Sequence, residues 1–311
     1  MGFRRSRRGH HHPGYPLQDL VKTDDLDRQL KPDLKKLVVW LTGGCDDPDL
    51  AAHVEFPLPV DQFAQLEVLL HGEGAFEGFG LRYDYDADVE VLTVRKPNPK
   101  HGIIVAMTAR RLRILITELH KHKQPFAASL ASSLGSPYSA MMKYPSTAST
   151  CEIKRSPDID IRSQMGDDLV PVLVGEVGSS QTVKSVNTKC KEYIQNTQGA
   201  TRTAFAIDLG DPNGKLAYIS IWRAIFDDGG KFQGATRDET VVIRNNDGNQ
   251  NPDCKAGIVL TLEDFCPVEV TPRGVDLKSI TMTLSITELF DVLEFAEERE
   301  EAARNKRERK D

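Results

Sequence analysis

The run Val172-Leu173-Val174 is apolar enough for a buried strand, yet Glu176 follows two residues later, on the same face as Val174. A carboxylate in that position needs a partner. Asp158 can supply one, because Asp158, Asp160 and Arg162 alternate with Ile159 and Ile161, so a neighbouring strand can bring Asp158 beside Glu176. Two nearby carboxylates repel each other unless a cation or a proton lies between them. A hard divalent ion, Mg²⁺ or Mn²⁺, suits two carboxylates completed by waters and a substrate phosphate. Such an ion lowers the pKa of an attacking water and stabilises a leaving oxygen, so the chemistry implied is phosphodiester hydrolysis.

Ser179 and Ser180 come next and are good N-cap residues for a helix beginning near Gln181. The free backbone N–H groups of that helix end would lie beside the carboxylates, where a substrate phosphate can dock. Along the helix Val183, Val186, Cys190, Tyr193 and Ile194 share one face. At about 100° per residue, Lys189 falls at the margin of this face while Lys184 and Lys191 point away. Lys189 is therefore the lysine best placed to reach inward.

Pro157-Asp158, then Glu176-Val177-Gly178-Ser179-Ser180-Gln181, then Lys189 with Tyr193 four residues on, resembles the PD-(D/E)xK restriction-endonuclease-like superfamily. The likeness is greatest to the branch whose lysine has moved from the strand to the following helix. That branch also has a hairpin leading through a histidine into a long helix, similar to Asp84 through Leu119 here with His101 at the junction. The resemblance spans roughly residues 79–209, and its central motifs are the specific part. It implies a metal held by Asp158, Glu176 and the Val177 carbonyl, with Lys189 orienting or activating water. It further implies a helix acid, Glu118, in a supporting role. The sequence departs from the superfamily pattern at Gly178, which occupies the place of the usual lysine, so activity rests on Lys189 or on Gln181.

The elements that must position these residues read as follows. DQFAQLEVLL from Asp61 to Leu70 has helical apolar spacing. LRYDYDADVEVLTVRK gives two strands turning at the acidic DAD. Residues 101–122 form a long helix with an apolar stripe of Ile103, Ile104, Met107, Leu112, Leu115, Ile116 and Leu119. CEIKRSPDIDIR alternates like a strand, and the segment from Pro171 to Leu209 reads strand, helix, strand. LAYISIWRAIF, ETVVIR and GIVLTLEDF are further strands, and the last helix opens on a capping box, Ser285 with Glu288. The expected fold is α/β: a restriction-endonuclease-like core, a central mixed sheet flanked by helices, with a C-terminal strand and helix elaboration. The expected domains are a disordered basic arm over 1–16, an extension over 17–60, the nuclease-like domain over 61–296 and a charged tail over 297–311.

The net charge of −6 argues against a binder held to nucleic acid by bulk charge, although an acidic protein can still carry a local basic groove. Five cysteines, irregularly spaced and without a CxxC pair, indicate neither a disulfide framework nor a zinc knuckle. The spacing favours a reducing compartment, so the expected location is intracellular, in cytoplasm or nucleus. No apolar run approaches the ~20 residues of a spanning helix, so no membrane is expected. His10, His11 and His12 lie on the arm without fixed geometry, and the segment around Gly248 lacks the spacing of a calcium-binding EF-hand. The functional expectation is a divalent-metal-dependent nuclease whose partner is nucleic acid, DNA in the first instance. The alternative is a catalytically degenerate nuclease fold that binds nucleic acid or protein.

Overall fold

A computed structural model describes residues 53–71, 82–95, 99–135, 140–147, 150–165, 170–178, 183–211, 214–253 and 257–308. The basic arm, and Ser179, Ser180 and Gln181, lie outside these residues. Along the chain run β1 (His53–Pro57), α1 (Val60–His71), β2 (Arg82–Asp86), β3 (Val91–Arg95), α2 (Pro99–Leu119), α3 (Pro125–Ser133), β4 (Met142–Pro145), β5 (Glu152–Arg155) and β6 (Ile159–Arg162). They are followed by β7 (Pro171–Gly178), α4 (Val183–Asn196), β8 (Thr203–Asp208), β9 (Ala217–Phe226), β10 (Phe232–Arg244), β11 (Gly257–Thr261), β12 (Thr281–Ser285) and α5 (Ile286–Glu308).

The chain divides into two compact units, one of Met1–Arg82 with Glu90–Lys96, the other of Tyr83–Val89 with Pro97–Asp311. In the first, β1 pairs antiparallel with β3, from His53 opposite Arg95 to Pro57 opposite Val91. Glu90 ends the preceding turn with a positive φ of 54° and closes the start of α1: its carbonyl accepts Leu58 N–H at 2.7 Å and its carboxylate accepts Val60 N–H at 3.2 Å. This unit buries Leu58, Phe63, Leu66, Leu92 and Val94.

The second unit is built on a mixed five-stranded sheet of order β10-β9-β8-β7-β6, flanked by helices in an α/β architecture. Only β7 and β8 are parallel, as the crossover through α4 requires. All eight residues of β7 are buried, because both of its faces are covered. One face carries Ile159, Ile161, Leu173, Val177, Phe205 and Ile207 into the main core with α2 and α5. The i, i+4 stripe of α2, Ile104, Thr108, Leu112 and Ile116, supplies the helical side of that core. The other face carries Asp158, Asp160, Val174, Glu176, Ala206 and Asp208 by the period-2 rule. It is covered by α4, whose Val186, Cys190, Tyr193 and Ile194 are buried.

The remaining elements complete this unit. β5 pairs with β4 and, at Tyr85 opposite Lys154, with β2. β11 and β12 form an antiparallel pair. β12 runs directly into α5, where Ser285 and Glu288 close a reciprocal capping box: Ser285 N–H donates to Glu288 Oε2 at 3.1 Å and Glu288 N–H to Ser285 Oγ at 3.2 Å. Past Glu297 the side chains of α5 are exposed through Lys306.

Candidate functional site

Asp158 and Glu176 meet across the β6–β7 pairing. Ile159 stands opposite Gly175, so the next step of the register sets Asp158 opposite Glu176 on the face beneath α4. Directly opposed side chains have Cβ atoms about 4.5–5.5 Å apart. The two residues are only 2% and 1% exposed, and carboxylates so buried require donors. Asp158 Oδ2 accepts the Val177 backbone N–H at 2.7 Å and lies 3.1 Å from His101 Nε2, in the first turn of α2. Glu176 Oε1 accepts the Tyr193 hydroxyl of α4 at 2.5 Å.

Asp158 is presented by a break in the chain between β5 and β6. Ser156 ends β5's run by donating its N–H to Asp84 Oδ1 at 2.8 Å and its hydroxyl to the Tyr83 carbonyl at 2.9 Å. Pro157 then has no N–H to continue a ladder. Asp84, buried in β2, also takes the Lys189 ammonium at 2.6 Å on Oδ2. One carboxylate therefore holds both the backbone ahead of Asp158 and the helix lysine. Arg155 makes a second tie of the same kind, donating to Asp86 at 2.7 Å and to Glu192 of α4 at 3.2 Å.

Two buried side chains report the local field. Burial pushes the Cys190 thiol pKa well up, Glu176 adds to the rise and Lys189 opposes it, so Glu176 and Lys189 act on the same small volume. Burial also raises the Tyr144 phenol; Arg155 works against this, while Asp84, Glu176 and Glu192 reinforce it. Asp84, Glu176 and Glu192 thus all act on the volume around Tyr144, with Arg155 opposing them.

Among the described residues no three or more His, Cys, Asp or Glu side chains gather as a metal cluster. A two-carboxylate site for a hard ion does not need one, since water and substrate oxygens complete its shell. The donors present fit such an ion. Both side chains are oxygen ligands, and each carboxylate offers about four lone-pair sites. The Val177 carbonyl fits as well, because a strand residue's N–H and C=O leave toward the same edge and its N–H already points at Asp158.

Of the residues expected from the sequence, Asp158, Glu176 and Val177 come together, and Lys189 reaches inward from the margin of α4, while Lys191 is exposed. Ser179, Ser180 and Gln181 fall outside the described residues. Glu118 requires a correction. It is exposed near the last turn of α2, about 25 Å along the axis from His101 at 1.5 Å per residue, and takes no part in the site. The helix meets the site with its first turn, so the histidine and not the acid is the α2 contribution. Gly178 has a packing cause: a Cβ there would stand 2.8 Å from Val186 Cγ2, so α4 sits where a strand lysine would project.

Asp84 and His101 are the additions that sequence reasoning did not assign. The signal for Asp84 was the alternation of Tyr83 and Tyr85 with Asp84 and Asp86, which sets two acids on one strand face. No protein-family model matches the chain, and no curated protein matches its sequence. Among the described residues no helix is long and apolar enough to cross a membrane.

Proposed function

We propose that the chain is a divalent-metal-dependent phosphodiester hydrolase of the PD-(D/E)xK type, acting on nucleic acid and on DNA in the first instance. The observation that carries this reading is the register that opposes Asp158 to Glu176 on the buried face under α4. A Mg²⁺ or Mn²⁺ held by Asp158, Glu176 and the Val177 carbonyl would supply an acidified water and charge stabilisation at the leaving oxygen. The protein's own groups fix the geometry. His101 and the Val177 N–H orient Asp158, and Tyr193 orients Glu176. Lys189, steadied by Asp84, brings a positive charge toward a substrate phosphate.

A second reading, a degenerate fold that binds nucleic acid or protein without turnover, is favoured by one observation: α4 closes the standard lysine position at Gly178. Cleavage of single- and double-stranded DNA in Mg²⁺ and Mn²⁺ separates the two. The expected result is cleavage by the wild type, lost in Glu176→Ala and in Lys189→Ala when circular dichroism shows both folded. Cleavage that survives the replacement of both Asp158 and Glu176 by alanine would end the metal-site reading. Binding without turnover, insensitive to Lys189→Ala, would select the second.

A further inference from the structure

A cleft of about 830 Å³ opens at the end of β8 remote from Asp208, between the β9–β10 turn and the segment that follows β11; Arg202, Arg223, Phe226, Asp228, Thr261 and Lys278 are among its walls. Its two arginines are differently provided for. Arg223 donates Nε to Asp264 Oδ1 at 2.8 Å and Nη2 to the Val259 carbonyl at 2.6 Å, and its Nη1 pairs with Asp238. Arg202 has no such set. Its Nε reaches the Glu263 carbonyl at 3.5 Å, its Nη2 stands 3.5 Å from Glu263 Oε1, and its buried Nη1 has no hydrogen-bond partner among the described residues. Those separations exceed the 2.7–3.2 Å of a good N–H···O bond.

The Arg202 side chain is 9% exposed, and a buried guanidinium with unmet donors is costly. Burial lowers its pKa, against the opposing pull of Glu263. Its Cζ lies 4.4 Å from the centroid of the Phe226 ring, a contact to the flat face that leaves the N–H edges with only the long Glu263 contacts. Turning the guanidinium into the cleft would give up the two 3.5 Å contacts to Glu263 and loosen the Phe226 ring contact, in return for which a planar oxyanion would meet two parallel N–H donors.

The rest of the cleft narrows the ligand. Asp227 and Asp228 on the turn are exposed, and among the described residues Asp228 takes part in no ion pair. Glu263 is shared between Arg202 and Lys278, 3.7 Å away, and Asp238 is taken by Arg223. An acidic rim of this kind repels polyanions and attracts a cation. The volume falls within the roughly 300–1,000 Å³ of small-ligand sites.

We infer that this cleft binds a small zwitterionic ligand, with a carboxylate on Arg202 and a cationic group toward Asp228, as in a short peptide with a free C-terminus and a basic side chain. Asp227 adds to the field that draws the cation. This site shares no residue with Asp158 and Glu176, and does not depend on the reading given to them.

Calorimetric titration of the full chain with the tripeptide Gly-Gly-Lys, its C-terminal amide and inorganic phosphate tests the assignment. The free acid is expected to bind at one site, the amide at least about tenfold more weakly for want of the bidentate pair, and phosphate not to compete. Arg202→Lys, which keeps the charge but not the fork, is expected to weaken the free acid about tenfold. Asp228→Asn, at an exposed turn position, is expected to weaken it severalfold, and Glu176→Ala to leave it unchanged. Equal affinity for acid and amide, competition by phosphate, no binding of the peptide, or indifference to Arg202→Lys would each overturn the proposal. Should Arg202→Lys fail to fold, indifference to Asp228→Asn overturns it as well.

Discussion

Asp84 and Lys189 lie 105 positions apart in sequence and 2.6 Å apart in space, with side chains 4% and 12% exposed. A pair this buried adds little net stability while both members are present, because desolvation offsets much of the attraction. Losing one member is different. Asp84→Ala leaves an ammonium and the Ser156 N–H without their shared acceptor, and we expect about 3–5 kcal/mol of destabilisation by urea unfolding. Asp84→Ala combined with Lys189→Met is expected to recover most of that loss, since the buried charge has gone too. A double variant as unstable as the single would mean that Ser156, not Lys189, is the group that depends on Asp84.

At the scale of elements, α4 determines what β7 can carry. Its Val186 fills the space beside Gly178, its Asn187 accepts Trp222 Nε1–H from β9 at 3.1 Å, and its Tyr193 reaches Glu176. Gly178→Lys, which sets a lysine two residues after Glu176, is therefore expected to destabilise by about 1–3 kcal/mol through overpacking. Val186→Ala in the same chain should relieve the clash, and thermal unfolding of the three variants checks the order. The segment from β5 to β8, and α2, were legible in the sequence because each is a local period of 2 or 3.6 with its polar residues at the ends. The mixed α/β sheet follows from that pattern. β4 is four residues ending in Pro145, too short for a period to register, and β1 also ends at a proline. ETVVIR is only the latter part of β10, whose pairing with β9 shifts register three times, so its first half shows no clean alternation. β12 was hidden by its own end, Ser285, which reads as a helix cap. Within the site, Asp158, Glu176 and the inward Lys189 were legible from faces alone. Asp84 was not, because its partners lie on elements that only the tertiary fold brings near. Glu118 was misjudged because helix length, not helix face, carries it away.

Across the second unit, α5 is fastened by charge as well as by its apolar residues. Glu297 accepts from Lys100 at 2.8 Å, from Arg244 at 2.5 Å and from Lys215, while Arg244, 1% exposed, also donates to Glu294 at 3.1 Å. Burial alone would raise the Glu297 carboxyl, but the bonds from Arg244, Lys100 and Lys215 outweigh it and hold the pKa down to about 2, from 4.5. A depressed folded-state pKa means stability fully present above about 4.5 and lost as the pH falls toward 2. The difference in melting temperature between the wild type and Glu297→Gln should accordingly be largest near neutrality and shrink below pH 4.5. A difference that stays constant from neutrality to acid would assign the effect to packing.

The strand that presents Asp158 also stands at the margin of its sheet, and β6 is four residues long. A marginal strand offers its open backbone groups to any extended chain that comes alongside. Here one end is already occupied, with Gly135 N–H on the Arg162 carbonyl at 2.9 Å and Leu134 bridged to Ser163. The other end has Pro157, with no N–H to give, and the fully buried Asp160 beside Asp158. A second molecule seeking to extend the sheet would meet a covered flank at one end, and a proline followed by inward acids at the other. Inward-facing acids on an edge strand work against such pairing, so Asp158 and Asp160 suit a strand that must stay unextended.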